Sequence, residues 1–222
     1  DIEYIIVDGQ SKDGTTAIIK KYKHKFGGHL KWISEPDQGI YDAMNKGIQL
    51  ASGDVIGTLN SDDTFYNNEV IEKVAGVFEN HPEIDCLYGN LIFIDEENKL
   101  VRKWQSKPFI SGLFAKSWTP AHPTFYCRKE VFEKYGLYKT HYKIAADVEF
   151  MFRMLELNKL KSYFLNETIV SMAIGGISTQ GLKSTITITK ELQLAYKENG
   201  MKLNLPKYLF YKGLKIKEYL FK

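Results

Sequence analysis

The sequence is short of cysteine and of long apolar runs, and both shortages exclude classes of protein. Only two cysteines, Cys86 and Cys127, occur in 222 residues. Both lie in apolar segments at a spacing that fits no metal site, so we predict reduced core residues rather than a disulfide framework or a zinc centre. No apolar run approaches the length of a membrane span, and no secretory signal is present. Together these features favour a cytoplasmic protein.

Net charge is also small. Lysine and arginine number 30 against 27 aspartates and glutamates, a formal charge of +3. Residues 206–222 hold five lysines and one glutamate, a local +4 that leaves −1 for the rest. Residues 1–205 have no excess of positive charge, which argues against a nucleic-acid partner. The tail interleaves lysines with aromatics, which is typical either of a surface helix or of a segment resting on anionic lipid at the inner face of the plasma membrane.

Several common catalytic signatures are missing. The turn after the first predicted strand does not have the Gly-x-Gly-x-x-Gly spacing, which argues against a dinucleotide fold. The chain also lacks a Walker loop, a zinc-ligand spacing and a nucleophile elbow with its Ser/His/Asp order.

Strand and helix patterns alternate through the first ninety residues. Predicted strands cover 4–7, 30–34 and 55–59, and predicted helices cover 15–25, 40–51 and 69–78. Such alternation predicts an α/β fold with a mostly parallel sheet flanked by helices. In the rest of the sequence, the residue pattern predicts a small antiparallel hairpin over 87–104, a helix from Asp147, a strand over 168–173 and two C-terminal helices. We therefore expect one domain over 1–180, with halves 1–95 and 96–180, and a basic helical appendage over 181–222.

The most informative segment is the predicted strand that ends in two adjacent acids, Asp62 and Asp63. Neighbouring carboxylates repel each other, and a fold tolerates them where a cation, a hydroxyl group or water takes up the charge. A strand that ends in such a pair can present a divalent metal to a phosphorylated ligand at the carboxyl edge of a sheet. A plain polar turn is the alternative interpretation of the same residues.

Other candidate residues also follow predicted strands or begin predicted helices. Asp8 ends the first strand and could accept a hydrogen bond from a ligand, whereas Asp13 is the better candidate for a helix cap. Asp147 begins a helix after small residues and is either an N-cap or a general base. The helix dipole favours an ionised carboxylate at that position. His122 is a candidate pocket residue.

Taken together, these segments resemble the family-2 glycosyltransferases of the GT-A fold, in particular the bacterial branch that builds O-antigen, capsule or colanic-acid-type polysaccharide. The resemblance rests on several motifs in order and at family spacing, which are residues 5–15, 34–47, 57–63, 122–125 and 145–147. It covers the chain from Asp1 to about residue 177.

The resemblance implies a role for each motif. Asp147 would be the catalytic base and Asp63 would hold a Mg²⁺ or Mn²⁺ ion that bridges the donor diphosphate. Residues expected to contact the nucleotide sugar, a UDP-sugar above all, are Asp8, Gly9, Ser11, Asp37, Gly39, Asp42, Asn45, Asn60, Ser61 and Asp62. His122, Gly175 and Gly176 would border the saccharide or lipid-linked acceptor. The implied reaction is a single displacement with inversion, for which Asp8, Asp63 and Asp147 must meet at one cleft.

The chain departs from the family pattern at two points. The family's usual first strand and helix have no counterpart before Asp1, and Asn60 replaces the first acid of the fullest metal motif. A catalytically silent nucleotide-sugar-binding module is therefore the alternative function, and a nucleotidyltransferase is a second.

Overall fold

A computed structural model describes the backbone of residues 1–175 and 182–220 and the side chains of residues 1–175 and 184–215. The strands are β1 (Tyr4–Asp8), β2 (Leu30–Ser34), β3 (Val55–Ile56), β4 (Thr64–Phe65), β5 (Cys86–Ile94), β6 (Leu100–Trp104), β7 (Tyr126–Arg128) and β8 (Ser162–Ala173). The α-helices are α1 (Thr15–Lys23), α2 (Ile40–Leu50), α3 (Val70–Asn80), α4 (Lys129–Tyr135), α5 (Ala146–Phe152), α6 (Leu182–Glu198) and α7 (Leu205–Leu220). A π-helical turn, Arg153–Leu157, continues α5.

The strands form two sheets. In the first, β1 and β2 pair in parallel from Tyr4↔Leu30 to Asp8↔Ser34. The second has the order β3-β7-β5-β8-β4, with β6 also paired to β5. Within the described residues, β1 pairs only with β2 and β3 only with β7.

The α/β class and the predicted hairpin are confirmed, but the expectation of mostly parallel pairing needs correction. Only β1–β2 and β5–β8 are parallel, whereas the other four ladders are antiparallel. The physical reason is that β7 returns from the second half of the chain and inserts between β3 and β5. Strand–helix alternation in the first ninety residues carries no information about a strand that arrives from so far away.

Two hydrophobic clusters cover the two faces of β5. Because side chains alternate along a strand, Cys86 and Tyr88 enter the larger cluster while Leu87 and Leu91 enter the smaller one. All four are at most 1% exposed. The two cysteines are free and buried, as predicted for reduced core residues.

The buried face of α2 differs from the apolar stripe that the sequence predicts. That stripe begins at Ile40, which is 49% exposed, whereas Tyr41, Asn45 and Ile48 are buried. The buried face is therefore rotated by about one residue. The reason is polar: the Asn45 amide donates to the carbonyl of Tyr138 (2.8 Å) and accepts from its N–H (3.0 Å). An asparagine that pairs with backbone can sit where hydropathy expects solvent.

The C-terminal helices pack on the residues that precede them. Helix α6 adds Leu192, Ala195 and Tyr196 to the larger cluster, and the Tyr196 ring stacks on Phe152 with centroids 4.3 Å apart. In α7, Tyr208 is buried in the same cluster. The expected appendage thus shares the core of the preceding residues, although its boundary at residue 180 stays a prediction. Among the described helices, none combines the length and apolarity needed to cross a bilayer.

Gly57 follows β3 directly and generates a stability prediction. A Cβ there would lie 2.2 Å from the Tyr126 ring. We expect Gly57→Ala to lower the free energy of unfolding by about 1–3 kcal/mol through overpacking. Gly76→Ala in α3, where a Cβ meets nothing within 4 Å, should instead raise it by roughly 0.5–1 kcal/mol. Urea unfolding curves measure both changes; equal midpoints for the two variants would contradict the packing described.

Candidate active site

One large cleft, of about 3250 Å³, runs between the two sheets. It is lined by the facing side chains of β1 and α2, by the segment that follows β3, and by the loop before α5. Predicted site residues that line it are Asn60, Ser61, Asp62, Asp63, His122 and Asp147. The structure therefore brings together the candidate metal ligand and the candidate base, which lie 84 positions apart in the sequence.

The turn after β3 positions Asp63. Its N–H donates to the Asn60 carbonyl (3.1 Å), and the Asn60 amide donates to Asp63 Oδ2 (2.8 Å). Asp63 is only 5% exposed, and its Oδ1 has no partner with hydrogen-bond geometry among the described residues, although the Ala173 N–H is near enough to lower the pKa of the carboxyl slightly. Burial raises the pKa of this carboxyl, and the neighbouring charge of exposed Asp62 raises it further. A buried carboxylate oxygen without a partner is the environment that a cation would complete.

The described residues contain no group of three acids, histidines or cysteines that could hold a metal by themselves. This does not disqualify Asp63, because Mg²⁺ commonly takes one or two carboxylates and completes its shell with substrate phosphates and water. The residues present thus fit a cation shared with a diphosphate. Asn60 already uses its amide on Asp63, which leaves its carbonyl oxygen as the only side-chain acceptor it could offer.

Asp147 lies in the first turn of α5. The N-cap position is Ala145, so the alternative interpretation of Asp147 as the N-cap is wrong. Its Oδ1 instead lies 3.1 Å from the hydroxyl of Tyr41, which also contacts the carbonyl of Ile144. Burial, and then the charge of Asp147, raises the pKa of Tyr41 far above its ordinary value. Tyr41 therefore stays protonated, and its one hydroxyl proton is shared between two acceptors, the Ile144 carbonyl and Asp147 Oδ1.

His122 lies on the same cleft but is itself buried. Its Nε2 lies 2.8 Å from the hydroxyl of Tyr138, and burial lowers the pKa of the imidazole although the charge of Asp147 opposes this. Burial likewise raises the pKa of Tyr138. A neutral histidine paired with a neutral tyrosine suits a pocket wall better than a proton carrier.

Asp8 lies at the end of β1 and is not among the residues that line the cleft, although its neighbour Val7 is. It is 5% exposed and accepts hydrogen bonds from the Ser11 N–H (3.1 Å) and the Ser34 hydroxyl (2.6 Å). Hydrogen bonding lowers the pKa of Asp8, first through the Ser11 side chain, then through the Ser34 hydroxyl and, to a smaller extent, the Ser11 N–H. In this structure Asp8 fastens the turn after β1 to β2. Of the three aspartates expected at one cleft, Asp63 and Asp147 line it and Asp8 does not.

The loop before α2 is held by its own acids. Asp37 Oδ1 accepts a hydrogen bond from the Gly39 N–H (2.8 Å). Its Oδ2 packs so closely on Gly9 that a Cβ added to that glycine would lie only 2.4 Å from this oxygen. Asp42 accepts from the Gln38 N–H (3.0 Å). The Asn45 amide bonds the backbone of Tyr138 through both its donor and its acceptor, and its contact with a nucleotide stays a prediction.

The predicted acceptor loop is only partly described. Gly175 is exposed, with a left-handed φ of 119°, and is not among the residues that line the cleft. Gly176 lies outside the described residues.

Two polar residues near the site went unpredicted. Tyr41 was hidden inside an apolar pattern, although a tyrosine four positions before the buried Asn45 could have suggested a polar contact. Glu149 is fully buried and binds Arg153 (3.0 Å) and Lys139 (3.0 Å). The Glu149/Arg153 spacing of four residues on a helix was the available signal.

Comparison with known proteins gives consistent results. The profile of Glycosyl transferase family 2 matches residues 1–151. A PGL/p-HBAD biosynthesis glycosyltransferase of Mycobacterium bovis (strain BCG / Pasteur 1173P2) is 29% identical over 179 residues, which is 80% of this chain and 68% of the relative. An uncharacterized glycosyltransferase of Mycobacterium tuberculosis (strain ATCC 25618 / H37Rv) is 33% identical over 156 residues, 68% of this chain and 56% of the relative.

Solved structures of the same fold include S. aureus TarS. One crystal structure has a TM-score of 0.65 at 20% identity and matches 88% of this chain. Another, of TarS 1–349 in complex with UDP-GlcNAc, has a TM-score of 0.62 at 17% identity and also matches 88%. This chain spans 34% and 57% of those two chains. The likeness confirms the GT-A fold that the motifs implied.

The raised pKa of Asp63 generates a prediction about stability. A carboxyl with a raised folded-state pKa favours folding below its unfolded pKa, near 3.8, and loses that contribution as pH rises through the folded pKa. Asp63→Asn should therefore raise the free energy of unfolding at pH 7, and the gain should shrink as pH falls through the raised pKa. Thermal unfolding across pH tests this, with exposed Asp54→Asn as the matched control. A destabilised Asn variant at pH 7 would contradict the analysis.

Proposed function

The chain belongs to Glycosyl transferase family 2, and on that premise we propose that it transfers a sugar from a nucleotide diphosphate sugar to a saccharide hydroxyl. The observation that carries this proposal is that Asp63 and Asp147 line one cleft. Asp63 presents a buried, unpaired carboxylate oxygen, and Asp147 is oriented by Tyr41. A diphosphate needs a cation, which Asp63 could hold. An attacking hydroxyl needs a base that accepts its proton, which Asp147 could be.

We propose a UDP-sugar, a UDP-hexose in particular, as the donor. Support comes from crystal structures of S. aureus TarS with UDP and with UDP-GlcNAc, whose fold this chain shares. The turn around Asp63 would hold the diphosphate end, and the turn after β1, closed by Asp8 and Ser11, would lie toward the nucleoside. Asp62, exposed beside Asp63, would be positioned for the ribose hydroxyls.

We propose that Asp63 would hold a Mg²⁺ or Mn²⁺ ion together with the donor diphosphate; such an ion would supply positive charge to stabilise the leaving group. All other steps belong to the protein. Asp63 and Asn60 would fix the donor, and His122 in the cleft wall, held from behind by Tyr138, would exclude water from the sugar.

Asp147 would carry the proton step. Tyr41 engages Oδ1, so Oδ2 would take the proton from the acceptor hydroxyl. The hydroxyl oxygen then bonds to the anomeric carbon, and the bond from that carbon to the diphosphate oxygen breaks with its electron pair leaving on the nucleotide. Attack from the side opposite the nucleotide inverts the configuration, so an α-linked donor gives a β-linked product.

We further propose a lipid-linked saccharide as the acceptor, in a bacterial surface polysaccharide of O-antigen, capsule or colanic-acid type. Helix α7 supports a site of action at the inner face of the membrane. Its exposed large hydrophobic residues are Leu209 (47%), Phe210 (64%) and Leu214 (44%), and Lys207 is exposed as well. Two of its lysines face the protein instead, since Lys212 contacts Thr189 and Lys215 contacts Ser117. Over the side chains of α7 that the structure describes, up to residue 215, the candidate membrane face is thus apolar apart from Lys207, as an interfacial helix requires on its buried side.

Removal of the base tests the reaction. Asp147→Asn should lower kcat for UDP release from UDP-GlcNAc with Mn²⁺, with water as the acceptor, by at least about 100-fold, the usual range for a general base. The KM for the donor should stay within about threefold, because Asp147 would not hold the nucleotide. Exposed Glu72→Gln is the control. An Asn variant that turns over at the wild-type rate would contradict the assignment of the base.

Flotation with vesicles of phosphatidylethanolamine and phosphatidylglycerol tests the membrane proposal. A Leu209→Ser/Phe210→Ser variant should float several-fold less than wild type, because it removes apolar surface that would enter the interface. Leu194→Ser on α6, 39% exposed, is the matched control and should float like wild type. Equal flotation of all three proteins would contradict the proposal.

A further inference from the structure

The loop that delivers Asp147 is held from outside the family-matched region, by Glu191 of α6. Its carboxylate accepts hydrogen bonds from three consecutive backbone N–H groups, those of Lys143 (2.8 Å), Ile144 (3.0 Å) and Ala145 (2.9 Å). Ala145 is the N-cap of α5. One side chain therefore fixes the entry into the helix that carries the candidate base.

The same loop is gripped from its other side by Tyr41. The Tyr41 hydroxyl contacts the carbonyl of Ile144 and lies 3.1 Å from Asp147 Oδ1. The backbone of Ile144 is thus bonded through its N–H to Glu191 of α6 and through its carbonyl to Tyr41 of α2. The charge of Glu191 also contributes to the raised pKa of Tyr41, after burial and Asp147, which places the three groups in one electrostatic cluster.

We propose that Glu191 is a positioning residue for the transfer reaction, acting on Asp147 through the Lys143–Ala145 backbone and Tyr41. This inference rests on the proposed function, because it assigns Glu191 a role in that same proton step. Charge-assisted bonds to a carboxylate are about twice as strong as neutral ones, so three of them hold the loop firmly. A base displaced by about 1 Å can cost about 100-fold in rate.

Helix α6 supplies its own matched control. About two turns later, Glu198 contacts Lys139 (2.9 Å), His141 (2.8 Å) and Tyr142 (3.0 Å), just before the same loop. Glu198 therefore also docks α6 on the protein, but through side chains rather than through the backbone that leads to Asp147. Substitution of either glutamate should weaken the docking of α6, whereas only substitution of Glu191 should misplace Asp147.

Two measurements on the full chain test the proposal. In UDP-GlcNAc hydrolysis with Mn²⁺, Glu191→Ala should lower kcat about 100-fold and Glu191→Gln, which keeps one acceptor oxygen, about tenfold. The KM for UDP-GlcNAc should stay within about twofold, and Glu198→Gln should keep kcat within about twofold. Hydrogen exchange should show faster exchange of the 143–145 amides in Glu191→Ala but not in Glu198→Gln.

Coupling to Tyr41 gives the decisive comparison. The combined Glu191→Gln/Tyr41→Phe variant should lose less rate than the product of the two single losses, since both act on one loop. Multiplicative losses, a kcat for Glu191→Ala within twofold of wild type, or an equal fall in Glu198→Gln would overturn the inference while Asp147→Asn remains inactive. Wild-type turnover in Asp147→Asn, or no turnover in the wild type, would instead overturn the proposed function and the inference with it.

Discussion

The candidate site depends on hydrogen bonds that join α2 to the segment from Tyr138 to Asp147, roughly a hundred positions later in the chain. Asn45 clamps the backbone of Tyr138, and Tyr41 reaches Ile144 and Asp147. Both side chains lie on the buried face of α2, where unpaired polar atoms would be costly. The same requirement that keeps this face stable therefore fixes the base relative to α2, which lines the cleft together with Asp63.

A second constraint is the cost of Asp63. Burial raises its pKa, and its Oδ1 lacks a described partner. An unpaired buried carboxylate destabilises the protein unless a ligand compensates it. Residues kept at such a cost are concentrated at functional sites. In the cleft, Asp147 is oriented by a hydrogen bond from Tyr41, whereas Asp63 has an oxygen free to bind a ligand. This difference agrees with the proposed roles of Asp147 as the base and Asp63 as the metal ligand.

Part of this could be predicted from sequence because the signals are local. The turn chemistry of residues 60–63 and the small residues before Asp147 mark both acids without any knowledge of the fold. Sheet topology was less accessible, since the insertion of β7 beside β3 depends on contacts between distant segments. The family resemblance places Asn45 and Asp8 at the nucleotide, whereas the hydrogen bonds that the structure gives them are internal. Glu191 was invisible because its partners are backbone N–H groups, which carry no sequence signature.

The central claim, that Asp63 and Asp147 serve one reaction in one cleft, is tested most directly by crystals soaked with UDP and Mn²⁺. An anomalous difference map should show manganese at about 2.0–2.3 Å from Asp63 Oδ1, within coordination range for a hard cation, with the diphosphate on the same ion and open space beside it facing Asp147. Manganese and nucleotide bound away from Asp63, or a nucleotide whose diphosphate points away from Asp147, would contradict the account.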